Sequence, residues 1–117
     1  MGNKILGSLG EQLATEFLKR LNYRILATNY RCRFGELDII ALDGGTIVFV
    51  EVKTRSTQNF GKGMEAVNYY KQQKIKKTAL AYLNESKHPF KNLRFDVIDI
   101  LINREKTPEI THIVNAF

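Results

Sequence analysis

What the 117-residue chain lacks narrows its class first. Its single cysteine, Cys32, allows no internal disulfide and no multi-cysteine zinc site. That favours a reducing compartment, and the cytoplasm is the expected location. No window approaches the roughly eighteen apolar residues of a membrane span, so no membrane partner is expected. The opening MGNKILGSLGEQLATEFL is too short in apolar run for a signal peptide, and Leu6 stands where N-myristoylation needs Ser or Thr. Repeats, low-complexity tracts and linkers are absent, and the length suits one domain over residues 1–117. Such a chain buries roughly two-thirds of its unfolded surface, enough for a core without staples. His88 and His112 stand isolated, with no partner at ligand spacing, so neither is expected to be catalytic.

Acidic residues are in deficit, 12 against 18 Lys and Arg, for a formal charge of +6. The excess is concentrated: from Val52 to Arg94 ten basic residues face only Glu65 and Glu85, a net of +8. A basic half points to a polyanion, nucleic acid before membrane. Ordinary solvated lysines are the competing reading.

Leu9, Leu13, Phe17 and Leu21 recur at helical spacing, widened by Leu6, Ala14 and Leu18, which predicts an amphipathic helix from about Ile5 to Leu21. Tyr23 to Tyr30 reads as a strand, and YRCRFG as a loop carrying Arg31 and Arg33. Glu36 to Asp43 and Thr46 to Thr54 read as strands joined by Gly44-Gly45, a two-residue hairpin signal. TRSTQNFGKG (54 to 63) reads as a mobile loop, followed by a helix from about Met64 to Asn84. RFDVIDILI is a fourth strand and EITHIV, after Pro108, a weaker fifth.

The hairpin carries the strongest inference. With Gly44 and Gly45 as turn residues, Asp43 pairs with Thr46 and Ile40 with Phe49. Asp38 then faces Glu51, and Glu36 faces Lys53. Opposed side chains share a sheet face with Cβ atoms about 4.5–5.5 Å apart. Two carboxylates at that distance repel by roughly 3 kcal/mol at an effective dielectric near 20. Sheets avoid this unless a cation compensates, and paired oxygen ligands suit Mg²⁺ or Mn²⁺. A charged edge strand is the competing reading. Ile47 and Phe49 on one face and Val48, Val50 and Val52 on the other favour instead a central strand that opens into a site at its end.

Other candidates surround this pair. Glu11 borders the first helix's apolar stripe, where it either reaches over the core's rim or is simply solvated. Lys71 and Lys74 share an arc with Met64, Val67, Thr78 and Tyr82, and either snorkel to solvent or meet an anion over the site. Lys76 and Lys77 read as outward lysines, useful at most as phosphate contacts. Phe60, Tyr69 and Tyr70 suit base stacking or, more simply, core packing. Asp96 reads as a supporting or strand-end carboxylate.

GELDII followed by FVEVKTR, after a helix bearing a Glu, resembles the PD-(D/E)xK nuclease superfamily. Together, GEQLATEFL, GELDIIA, VFVEVKTR, FGKGMEAV and RFDVI resemble the YraN-like family of small bacterial proteins over nearly the whole chain. The resemblance implies an α/β, restriction endonuclease-like αβββαβ core. Its mixed sheet would be flanked by helices and carry an extra C-terminal strand, with distant kinship to archaeal Holliday-junction resolvases. It implies Asp38, Glu51 and the Val52 carbonyl as metal ligands, Lys53 as catalytic lysine, and Glu11 as a further ligand. Leu37 replaces the proline of the superfamily pattern, a departure that leaves the chemistry intact. The expected function is Mg²⁺- or Mn²⁺-dependent hydrolysis of DNA, branched DNA included. Arg31, Arg33, Arg55, Lys62, Lys71, Lys74 and Lys77 would hold the backbone. A homodimer would fit two-stranded cleavage, and a non-catalytic nucleic-acid-binding or adaptor protein is the alternative.

Overall fold

The computed structural model describes residues 3–56, 67–103 and 105–117. Helix α1 (Asn3–Arg20) precedes strands β1 (Arg24–Cys32), β2 (Gly35–Asp43) and β3 (Thr46–Ser56). Helix α2 (Tyr69–Ser86) and strands β4 (Asn92–Ile102) and β5 (Glu109–Ile113) follow. One mixed sheet runs β1-β2-β3-β4-β5, with only β3 and β4 parallel. That parallel step is the one made through α2, as a parallel pair needs a long crossover. The α/β class and the αβββαβ order with an extra strand are those the sequence predicts. Among the described residues no helix is long and apolar enough to cross a membrane.

Strand β3 is central because its apolar run is covered on both faces. Towards α1, Ile39, Val48, Val50, Ile98 and Ile100 pack with Leu6, Ala14 and Leu18. Towards α2, Ile40, Ile47, Phe49, Phe95 and Val97 pack with Ile75, Ala79 and Tyr82. Phe49 stacks on Phe95 at 5.4 Å and meets Tyr82 edge-on at 6.3 Å.

Several boundaries differ from the sequence reading. β1 continues to Cys32 and only Arg33-Phe34 turn the chain, so Arg31 is a strand residue, 3.4 Å from Glu36. Thr54 to Ser56 belong to β3, since its ladder with β4 runs unbroken from Thr46↔Asn92 to Ser56↔Ile102. α2 starts at Tyr69 because the Asn68 side chain accepts the Lys71 N–H and caps the helix there. Phe60, Lys62, Met64 and the rest of the expected loop lie outside the described residues.

Asp96 is not at a strand end. It is fully buried mid-strand, accepting from Arg94 at 2.9 and 3.1 Å and from the Asn115 N–H at 2.9 Å. His112, isolated in sequence, places Nε2 2.7 Å from the same carboxylate, because β5 pairs beside β4. Arg94 also donates to the Tyr23 hydroxyl at 2.8 Å and lies 3.6 Å from Asp43. These bonds tie β4 to the residue that leads into β1, to the β2–β3 hairpin, to β5 and to the C-terminal tail.

Removing Asp96 would leave a largely buried Arg94 without its main partner. Asp96→Ala should therefore cost about 3–5 kcal/mol in urea unfolding. A loss below about 1 kcal/mol, the worth of one ordinary hydrogen bond, would mean the network is dispensable.

Candidate functional site

The β2–β3 ladder begins at Asp43↔Thr46, as the two-glycine turn predicts, and ends at Ile39↔Val50. The next step brings the Asp38 and Glu51 carboxyls close enough to share a proton, although the backbones have parted. Asp38 fills the gap by accepting the Val52 N–H at 2.8 Å. In an extended strand the N–H and C=O of one residue point to the same side, so the Val52 carbonyl faces this gap too.

The parting has a visible companion in β1. Asn29 lies between the pairs Thr28↔Ile39 and Tyr30↔Leu37 with φ 53, a left-handed conformation that Asn tolerates. Beside it the face alternation of β2 breaks, with Ile39 packed towards α1 and Leu37 towards α2.

Helix α1 approaches from the other side. A side chain at Gly10 would collide with that of Thr54, so glycine is what lets the helix settle on β3. The next residue, Glu11, is half-buried and hydrogen-bonded to Asn29. Burial raises its pKa; the Asn29 bond opposes this, while the charges of Glu36 and Glu51 add to it. Glu11 is thus within electrostatic reach of the pair without closing on it. Among the described residues no three His, Cys, Asp or Glu gather closely enough to form a metal-binding group by themselves.

Burial, first, and then the adjacent Glu51 charge and their shared hydrogen bond push the Asp38 pKa from an ordinary 3.8 to about 8. The Val52 N–H opposes that rise, and Glu11 adds to it. One carboxyl of the pair therefore holds a proton at neutral pH when no cation is present. Glu51 is 14% exposed, and the Lys71 ammonium lies 3.4 Å from its Oε1. A donor set of two carboxylates and a carbonyl fits Mg²⁺ or Mn²⁺, hard ions that take few protein oxygens and keep several waters.

The pair opens into a cleft of about 540 Å³ whose walls include Glu36, Tyr70, Lys71 and Lys74. Of the four α2 lysines, Lys71 and Lys74 face it: Lys71 ends on Glu51, and Lys74 places its ammonium 5.6 Å from the Tyr70 ring centre. Tyr69 and Tyr70 are 74% and 72% exposed, so neither packs in the core.

Lys53 is placed differently from the expected register. Glu36 is paired with Arg31 rather than set against Lys53, because the ladder has already ended. Lys53 is half-buried beside Asp99 in the parallel ladder and forms no ion pair with another described residue. Arg55 is tied to Asp99 at 3.4 Å, Arg33 lies 4.7 Å over the Phe34 ring, and Lys77 is exposed on α2. Lys62 lies outside the described residues.

Asp99 went unnoticed in the sequence. It is 4% exposed, its Oδ1 has no hydrogen-bond partner among the described residues, and it lies on the face that carries Lys53. An Asp within an apolar run was the available signal, but its neighbour depends on a parallel register no turn specifies.

The sequence model of the uncharacterised protein family UPF0102 matches residues 10–100, from the Gly10 approach through most of β4. The chain belongs to the UPF0102 family. This is the YraN-like family that the five motifs resemble. A UPF0102 protein of Geobacter sulfurreducens is 54% identical, covering 98% of this chain and 90% of its own. Relatives from Caldanaerobacter subterraneus subsp. tengcongensis and Mycolicibacterium vanbaalenii are each 45% identical, covering 100% and 92% of this chain and 98% and 89% of their own.

The Asp38 proton has a consequence for stability. With a pKa of 3.8 unfolded and about 8 folded, the native state of this UPF0102 chain holds the proton more tightly. Stability in EDTA should therefore fall as pH rises from about 4 to about 8. Asp38→Asn keeps an oxygen for the Val52 N–H and removes the charge. Its Tm should vary less across that window and exceed wild type at pH 8. Superimposable Tm–pH curves would contradict the close, half-buried pair.

Proposed function

We propose that this UPF0102 protein is a metal-dependent nuclease of the PD-(D/E)xK kind, hydrolysing phosphodiester bonds in DNA. The observation that carries the reading is the Asp38–Glu51 pair, held together where β2 and β3 part and flanked by lysines. Asp38, Glu51 and the Val52 carbonyl would hold the cation, which when bound supplies a Lewis acid for a phosphate oxygen and an acidified water.

The protein's own groups supply the rest. Lys53, half-buried at the same strand end, would stabilise charge that grows on the phosphate. Lys71 answers the Glu51 charge in the free protein and, being 47% exposed, can turn to a phosphate when substrate enters. Glu11 would orient water at the pair's rim. Lys74 and Lys77, with Arg31 and Arg33 across the cleft's β1–β2 edge, would grip the backbone, and binding would weaken steeply with salt. Arg55 is engaged by Asp99 and would act from behind Lys53.

A binding protein without cleavage is the second reading, favoured by the absence of a third close metal-ligating side chain among the described residues. One assay separates the two. Labelled duplex, flap, four-way junction and single-stranded DNA are incubated with Mg²⁺, Mn²⁺ or EDTA. Glu51→Gln should lower cleavage by about 10²-fold or more, the scale on which single electrostatic catalytic groups act. Its DNA affinity in EDTA should stay within about twofold, since phosphate contacts come from other residues. Salt-sensitive binding with no cuts in any metal would establish the second reading.

A further inference from the structure

We infer that Tyr70, with Tyr69 beside it, is a stacking platform for an unpaired nucleobase, so that the site acts on a single-stranded segment rather than on continuous duplex. This rests on the nuclease reading of the same cleft.

Three of the chain's five tyrosines have structural partners. Tyr23 accepts from Arg94, Tyr30 donates to Glu85 at 3.2 Å, and Tyr82 is buried between Tyr30 and Phe49. Tyr69 and Tyr70 make no side-chain hydrogen bond with another described residue, and the two residues are 74% and 72% exposed. Two adjacent aromatic residues left in solvent at a cleft form a local exposed patch, the kind of surface that marks a binding site.

Their position is specific. Asn68 caps α2 immediately before them, so the first helical turn fixes where they stand. Tyr70 lines the same cleft as Asp38 and Glu51. Lys74, one helical turn on, sets its ammonium on Tyr70 at 5.6 Å, and Lys71 reaches Glu51 from the same turn. The wall therefore presents an aromatic ring with one cation beside it and a second cation on the carboxylate pair. Phosphates suit the lysines and a base face suits the ring, the combination by which proteins hold single strands. A base inside a duplex is covered on both faces by its neighbours and offers the ring nothing. Only an unstacked base can lie on it.

The test measures binding in EDTA, where cleavage plays no part. Fluorescence anisotropy gives the affinity of the full chain for a labelled oligo-dT single strand and for a blunt duplex of equal length. Tyr70→Ala should weaken single-strand binding about tenfold, within the range of one lost stacking contact, and leave duplex binding within about twofold. Tyr70→Phe, which keeps the ring, should bind as wild type. A 2-aminopurine in the strand should be quenched on binding wild type and Tyr70→Phe, and not Tyr70→Ala. Because the ring is largely in solvent, Tm should be unaltered by either substitution. Equal loss on both DNAs, no loss on the single strand, or failure of the Phe variant would each overturn the inference. If wild type cuts DNA while Tyr70→Ala binds normally, the inference falls and the nuclease reading stands. If wild type binds neither DNA, both fall.

Discussion

The structure turns on one event in the sheet, the separation of β2 from β3 after Ile39↔Val50. Up to that point backbone pairing and two buried faces hold the strands in a single register. Beyond it, β2 stays with β1 and β3 stays with β4. The gap exposes backbone polar groups of β3 that must be satisfied, and the Asp38 carboxylate satisfies one of them. Glu51 follows on the partner strand, so opening the sheet and assembling the carboxyl pair are the same act. Gly10 lets α1 settle on β3, and Asn29 takes its left-handed conformation in β1 between the pairs that flank Asp38.

Two acids, the fully buried Asp96 and the half-buried Asp38, show what distinguishes a structural carboxylate from a chemical one. Asp96 meets a guanidinium, an imidazole and a backbone N–H, and its charge is answered from within the fold. Asp38 meets one N–H and another carboxyl, and its answer is a proton. A protein gains nothing in stability by burying two like-charged groups together when apolar residues would fill the space. On the proposed reading a cation would answer this pair, and the lysines along the cleft would meet the phosphate that comes with it.

Much of this was legible in the chain. The glycine pair of the turn fixed which residues of β2 and β3 oppose, and the unbroken apolar run Ile47 to Val50, apolar on both faces, marked a covered central strand. Local rules therefore reached Asp38 and Glu51. They failed beyond the hairpin's paired region, where Glu36 goes to Arg31 and leaves Lys53 with β4. Nothing local distinguishes a ladder that continues from one that parts. The Lys53–Asp99 neighbourhood and the Asp96–His112 contact depend on pairings between strands distant in sequence or joined without a tight turn. Helical spacing placed Lys71 and Lys74 on one arc, but only the packing of α2 on the sheet turned that arc towards the carboxyls.

The most direct measurement is a Mn²⁺ titration of the metal-free protein followed by electron paramagnetic resonance at pH 8. Wild type should remove Mn²⁺ from the free-ion signal at a single site per chain, with protons released as the pair gives up what Asp38 holds. Asp38→Asn, folded and of higher Tm, should leave the free-ion signal untouched. Equal Mn²⁺ uptake by both proteins, or none by either, would contradict a cation site built on the parting of β2 and β3.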